Sequence, residues 1–269
     1  MHCLFCKSDS TFSKSVEHII PESLGNKTLT LPPGIVCNKC KNYFAIKVEK
    51  PFISSEPINR LRFHQLIPNK RGRFTNIKGE FLPGFPVEVH HDQKTNKPIV
   101  IVNDEETFKH IFFSESSTLI LPGPSLVPQG IVSSRFLAKM ALETMALRLC
   151  EHPEGLEYLV NEIQLDPIRN HARRGETDKW PIHVRYLYSP DKKWTNDKEE
   201  DYQVVHESDI LLTTWGESFF VIAIFGMEMV INYGGPEIAG YERWLKENNN
   251  ISPLYSGKNI RTPHSPPNS

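Results

Sequence analysis

Hydrophobic and polar positions change rhythm several times along the chain, and each change predicts an element. The longest helical pattern runs from about Ser134 to Glu151. Phe136, Met140, Leu147 and Cys150, joined by Leu137, Met145 and Leu149, form a broad apolar face. Ser133 or Ser134 is placed to cap that helix, and Cys150 reads as a buried thiol of the core. A second helical stretch covers about 155–171 and breaks at Asp166-Pro167. Runs rich in Val, Ile, Phe and Tyr predict strands at 182–188, 203–206, 209–214 and 219–231, and "GYERWLKENN" predicts a short helix near the end. Upstream, "FPVEVHHDQKTNKPIVIVNDEE" reads as a hairpin turning at Gln93–Asn96, and "HIFFSESSTLILPG" reads as a strand.

The first fifty residues have a different texture: loop, short strand, loop, short strand, helix. Val16–Ile20 is one expected strand, and Ile35–Cys37, after the break at Pro32-Pro33-Gly34, is the other. Asn38–Lys50 has helical composition, with Asn38 as its cap and Pro51 as its stop. The expected organisation is α+β. A finger spans residues 1–50 and a basic linker 51–84. A larger domain with a mainly antiparallel sheet spans 85–251, and a Pro- and Ser-rich disordered tail spans 252–269.

Composition refines this picture in two ways. Hydrophobic residues make up 39% of the 269 and charged residues 23%, which allows a packed core and argues against wholesale disorder. No apolar run has the length of a membrane span and the N-terminus lacks a signal pattern, so a cytoplasmic protein without membrane attachment is expected. The net charge of −1 conceals an asymmetry: residues 1–80 hold 13 Lys/Arg against 6 Asp/Glu, a net of +7, leaving the remainder at −8. An anionic partner is therefore expected for the first part alone, unless the excess is simply a solvated basic face.

Four of the five cysteines form two pairs, Cys3/Cys6 in "CLFC" and Cys37/Cys40 in "CNKC". Two CxxC turns brought together offer four thiolates, which suits a tetrahedral Zn²⁺ closed to solvent and therefore structural. A disulfide framework would need an oxidising compartment that nothing in the sequence suggests. Between the pairs lies "VEHIIPESLGN", with an acid and a histidine side by side. His18 can take a proton from water near neutral pH, and the Glu17 carboxylate can hold a hard divalent cation such as Mg²⁺. Asn38 and Asn42 share a helix face from which an amide oxygen could add a ligand.

"CLFC", "EHIIPESLGN" and "CNKCKNYF" in this order resemble the HNH, or His-Me finger, endonucleases, specifically their zinc-stapled bacterial subgroup. The resemblance covers about residues 3–50. It implies a ββα-metal unit that binds one catalytic divalent cation, Mg²⁺ or Mn²⁺, at a phosphodiester. Carried over by position, His18 corresponds to the residue that activates water and Glu17 to the metal-binding acid. The last ligand of the motif falls at Lys41, so Asn42 is assigned one place along, with Asn38 as the alternative. The family's central asparagine has no counterpart beside Pro32-Pro33-Gly34, and Asn26 is the nearest candidate to orient His18.

On this resemblance the substrate is nucleic acid, double-stranded DNA above all. Arg60, Arg62, Lys70, Arg71 and Arg73 would grip its phosphates, and Phe63, His64 and Phe74 are available for stacking. The competing function is a zinc-stapled nucleic-acid-binding module without catalysis. The acidic remainder matches no motif. By analogy it would bind a regulatory protein or a small-molecule ligand, as in an antiphage defence effector silent until triggered. Within it, "IRNHARRG" at 168–175 clusters Arg169, His171, Arg173 and Arg174 where an anion could meet a helix end.

Overall fold

The computed structural model describes residues 1–123, 126–175, 180–196 and 198–256. Near the N-terminus, strand β1 (Glu17–His18) pairs antiparallel with β2 (Thr30–Leu31), Glu17 opposite Leu31 and His18 opposite Thr30. The second strand thus precedes Pro32-Pro33-Gly34 instead of following it at Ile35–Cys37. The Ile35 carbonyl accepts the Leu4 N–H at 2.9 Å, so that segment is committed to the first cysteine turn. Helix α1 (Asn38–Phe44) follows. Its cap is the Cys37 sulfur, which accepts the Cys40 N–H, and Asn38 is already helical. Nor does Pro51 end the helix. A wider π-helical stretch, Ala45–Glu49, leads into α2 (Lys50–Ile53), and Pro51 sits in its first turn. Proline lacks an N–H and crowds the carbonyl one turn back, which the wider stretch accommodates.

Residues 53–128, with Glu22–Gly25, form a compact unit of their own. It contains α3 (Glu56–His64), β3 (Ile77–Phe81), β4 (Phe85–His91), β5 (Pro98–Ile101), α4 (Glu105–Phe113) and β6 (Leu119–Ile120). The sheet order is β5-β4-β3-β6, antiparallel throughout. Phe63, Ile77, Phe81, Val87 and Val89 make its core. The segment read as a linker therefore carries a helix and a strand, because Ile58, Leu61 and Phe63 are buried. The β4–β5 hairpin turns where expected, and the Asp92 side chain accepts the N–H groups of Lys94 and Thr95. The expected strand at 110–123 is helical as far as Phe113. Asp104 caps α4 by accepting the Thr107 N–H at 2.7 Å, and Phe108, Phe112 and Phe113 remain exposed.

The rest of the described chain groups with the N-terminal finger into the other unit, a different division from boundaries at 50 and 84. It begins with α5 (Gly130–Leu149), α6 (Pro153–Asn161), a 3₁₀ turn at Ile163–Leu165 and α7 (Asp166–Arg174). Strands β7 (His183–Tyr186), β8 (Trp194–Thr195), β9 (Asp201–Tyr202), β10 (His206–Leu212), β11 (Ser218–Ile224) and β12 (Met227–Asn232) precede α8 (Ala239–Glu247). The main sheet runs β10-β11-β12-β7, all antiparallel, and β8 pairs with β9.

Helix α5 is the centre of this unit. The Tyr233 hydroxyl on the sheet side donates to the Ala141 carbonyl at 2.8 Å, and Phe136 stacks on Phe52 at 4.0 Å between ring centres. It starts one turn earlier than its sequence suggests. Gln129 is the cap, while Ser133 and Ser134 lie inside and turn their hydroxyls back to the carbonyls of Gln129 and Ile131. Cys150 at its end is partly exposed rather than in the core. Residues 252–256 are part of the fold: Ser252 and Leu254 are buried, and the Ser252 hydroxyl bonds Glu228. The rest of the expected tail, 257–269, lies outside the described residues. The fold is α+β with antiparallel sheets, and no helix among the described residues is long and apolar enough to cross a membrane.

Candidate functional site

Cys3, Cys6, Cys37 and Cys40 bring their four sulfurs within 4.8 Å of one another. A tetrahedral ion with Zn–S bonds of about 2.3 Å would space them about 3.8 Å apart, and Cys6 and Cys37 stand 3.6 Å apart. Backbone N–H groups already point at the sulfurs: Cys37 N–H at Cys3 Sγ, 3.3 Å, and Cys40 N–H at Cys37 Sγ, 3.4 Å. The donor set fits zinc, and three of its four members are buried. A hydrogen bond from Cys40 draws the Cys3 thiol down to about 4, while the Cys3 sulfur and burial push Cys40 far up. Four sulfurs this close cannot share negative charge without a cation among them. Phe5, inside the first pair, packs on Phe44 of α1 at 4.4 Å, so the cysteine turns and the helix are clamped by an aromatic contact as well.

Neighbouring residues of β1 face opposite ways, which separates the acid from the histidine. Glu17 turns inward and is 4% exposed, whereas His18 is partly exposed. The Glu17 carboxylate meets a residue that no motif indicated. The ammonium of Lys139, in the middle of α5, lies 2.9 Å from Glu17 Oε1, 2.9 Å from Glu49 Oε1 and 2.8 Å from Glu143 Oε2. It also lies 3.4 Å from the His18 carbonyl. Lys139 and Glu143 are wholly buried. Burial works against the Lys139 charge, but Glu143, Glu49 and Glu17 together raise its pKa well above the ordinary lysine value. Burial also raises Glu143 well above the ordinary carboxylate value, against the pull of Lys139. The available sequence signal was a lysine and a glutamate four apart inside the apolar run "FLAKMALETMAL".

With Oε1 on Lys139, Glu17 Oε2 is buried without a hydrogen-bond partner. An orphaned carboxylate oxygen is costly unless something cationic or donating meets it, so this atom fits a divalent ion as a single ligand. The three candidates for the next ligand on α1 differ. The Asn38 amide oxygen accepts the Ser15 hydroxyl at 2.6 Å. The Lys41 ammonium bonds the Val16 carbonyl, just before β1. Asn42 is exposed to solvent, and no hydrogen bond joins it to Glu17. The structure thus places Glu17 and His18 on opposite faces of one strand and Asn42 on the helix that the second cysteine turn starts.

Asn26 is 1% exposed and serves the strand pair rather than the histidine ring. Its Nδ2 donates to the carbonyls of Ile20 (2.6 Å) and Leu29 (2.9 Å), and its Oδ1 accepts from the N–H groups of Thr28 and Leu29. Both donors and both lone pairs are used, closing the loop between β1 and β2.

The expected phosphate-binding residues separate by environment within their own unit. Arg62 is 7% exposed and its charge is disfavoured by burial, so it belongs to the core of that unit and not to a phosphate grip. Arg60 pairs with Glu56 one turn away. Lys70, Arg71 and Arg73 are exposed on a tight turn, where the Asn69 side chain accepts the N–H groups of Arg71 and Arg73. The stacking candidates are also engaged: Phe63 is buried against His91, and His64 bonds the Pro122 carbonyl. In "IRNHARRG", Arg169 and His171 are buried, Arg169 against Asp166 and His171 2.9 Å from the Ser134 hydroxyl, so the expected anion cluster does not form.

Residues 3–56 match the family described as HNH endonuclease. The match takes in both cysteine pairs, β1, β2 and α1, about a fifth of the chain, and points to nuclease activity in general. No curated protein and no solved structure matches the chain.

Proposed function

We propose, from the HNH endonuclease character of residues 3–56, that the protein is a metal-dependent endonuclease that hydrolyses phosphodiester bonds, with DNA as its substrate. The observation that carries this reading is the β1 pair. Glu17 offers a buried carboxylate oxygen with no partner, and His18, next in the chain, is partly exposed with its ring Nδ1 buried. His18 acts as general base and takes the proton of a water, which attacks phosphorus while the bond to the 3′-oxygen breaks. Glu17 and Asn42 would hold the Mg²⁺ or Mn²⁺, which when bound would supply charge stabilisation at the phosphate. The turn bearing Lys70, Arg71 and Arg73 contacts the backbone without reading sequence. The part of the chain from α5 onward, coupled to the finger in one unit, controls the activity in answer to a protein or small-molecule signal, as a defence effector requires.

One observation favours a second reading. Lys41 stands where the motif's last ligand is expected and turns its ammonium onto the Val16 carbonyl. A cation at that place disfavours a second one, and the finger would then bind nucleic acid without cutting it. Zinc-loaded full-length protein incubated with supercoiled DNA and with RNA in Mg²⁺ or Mn²⁺, beside His18→Ala, separates the two. Cleavage by wild type alone supports the enzyme. Binding with no cleavage under any metal condition supports the second reading.

A further inference from the structure

Lys139 belongs to none of the motifs, yet it touches both arms of the finger. Its three ammonium hydrogens are matched by three carboxylate oxygens, at 2.9, 2.9 and 2.8 Å. Glu17 lies on β1, the strand that also bears His18. Glu49 ends the π-helical stretch that continues directly from α1, the helix that bears Asn42. Glu143 anchors the lysine to its own helix one turn away. The same ammonium lies 3.4 Å from the His18 carbonyl.

We infer that Lys139 is a positioning residue for the catalytic divalent ion: it fixes Glu17 by Oε1 so that Oε2 is presented to the metal, and it sets β1 against the helix carrying the other ligand. This rests on the reading of the finger as a metal-dependent nuclease. Three arguments support it. A carboxylate that holds a metal through one oxygen is oriented by what grips the other, and such partners tune the site. A buried ion pair contributes little net stability compared with apolar residues of like volume, so stability alone is a weak reason to place a lysine here. Three carboxylates around one ammonium also leave a surplus of acidic groups beside Glu17, an environment that favours a cation at its remaining oxygen. The helix that supplies Lys139 lies far along the chain from residues 3–56, so the ion site is completed by α5 and not by the finger alone.

The test uses full-length, zinc-loaded protein and takes Glu143→Gln as the background, so that removing the lysine does not strand a second fully buried carboxylate. Mn²⁺ binding is followed by electron paramagnetic resonance, and DNA nicking is resolved into kcat and KM. In the Lys139→Met/Glu143→Gln protein, Mn²⁺ affinity should fall about 10- to 100-fold relative to Glu143→Gln. At equal Mn²⁺, kcat should fall while KM for DNA holds. Lys139→Gln/Glu143→Gln keeps a donor for Glu17 and should lie between the two; it decides the matter if the methionine variant does not fold. Unchanged Mn²⁺ affinity in a folded double variant, with wild type binding Mn²⁺ in a Glu17-dependent way, overturns the role of Lys139 alone. If wild type shows neither Glu17-dependent Mn²⁺ binding nor His18-dependent nicking, the nuclease reading fails and this inference goes with it.

Discussion

The Lys139 ammonium and the Glu17 carboxylate lie 2.9 Å apart, and both side chains are shut away from solvent. One comes from the middle of a long helix and the other from a two-residue strand. Removing only the lysine leaves three acidic side chains without the ammonium they share. Lys139→Met should therefore destabilise the protein by about 3–5 kcal/mol, with much of that loss recovered in the double variant carrying Glu143→Gln. Urea unfolding of the three proteins measures it, and equal midpoints for wild type and Lys139→Met would contradict it.

Glu143 makes stability depend on pH in a defined direction. Its carboxyl is raised in the folded protein, so between the ordinary carboxylate value of 4.5 and its folded value the native state holds a proton that the unfolded chain has lost. The stability contributed by that proton is complete below 4.5 and declines as pH rises through the window. Glu143→Gln cannot lose a proton. The stability difference between the variant and wild type should therefore shift in the variant's favour from pH 4.5 upward, as read by urea unfolding at several pH values. A difference that does not change with pH would mean that Glu143 titrates normally.

The cysteine site predicts about one tightly held zinc per chain by metal analysis. Protons compete with the ion for the four sulfurs, so zinc should be released as the solution is acidified. Chelation or Cys40→Ser should remove the ion and open residues 1–50 to proteolysis. A chain that holds no zinc at neutral pH would refute the stapled finger.

Asn26 fastens the β1–β2 loop with four hydrogen bonds. Asn26→Ala leaves the buried Ile20 carbonyl without its donor and the Thr28 and Leu29 N–H groups without their acceptor, and should cost roughly 3 kcal/mol. Asn26→Asp loses the two donated bonds and should also destabilise, because the carboxylate would face the two carbonyls. Thermal unfolding of both variants tests this, and a wild-type melting temperature in Asn26→Ala would rule it out.

The arginines should divide by burial. Arg62→Ala should lower stability, because its guanidinium is packed inside its unit. Alanine at Lys70, Arg71 or Arg73 should change stability by less than about 0.5 kcal/mol. Each should weaken DNA binding evenly across sequences and reduce the salt slope by about 1. Fluorescence anisotropy over a salt series reads both effects. The opposite pattern, with Arg62 dominant in binding, would move the contact surface elsewhere.

What was legible in the sequence was local. A CxxC turn is specified by its own spacing, so the four cysteines come together as their pattern expects, and Glu17 and His18 lie on a strand. The β4–β5 hairpin was readable because alternation and a polar turn occur within one short window. Strand β2 was not, because two residues make no period and its partner is chosen by the loop that Asn26 closes. Pro51 misled because its usual effect is absorbed by the wider stretch before it. The exposed Phe112 and Phe113 gave the end of α4 a strand-like texture that a capping aspartate overrode. Lys139 was hidden because its partners Glu17 and Glu49 lie remote in sequence, and only packing brings them to it.

The most direct measurement is a crystal structure of the zinc-loaded protein soaked in Mn²⁺, with anomalous scattering to locate the second metal. One Mn²⁺ should be bound by Glu17 Oε2, with the Asn42 amide as a further ligand, His18 beside it and Lys139 still on Glu17 Oε1. Zinc at the four cysteines with no Mn²⁺ at Glu17, in a protein that binds DNA, would contradict it and leave a binding finger without catalysis.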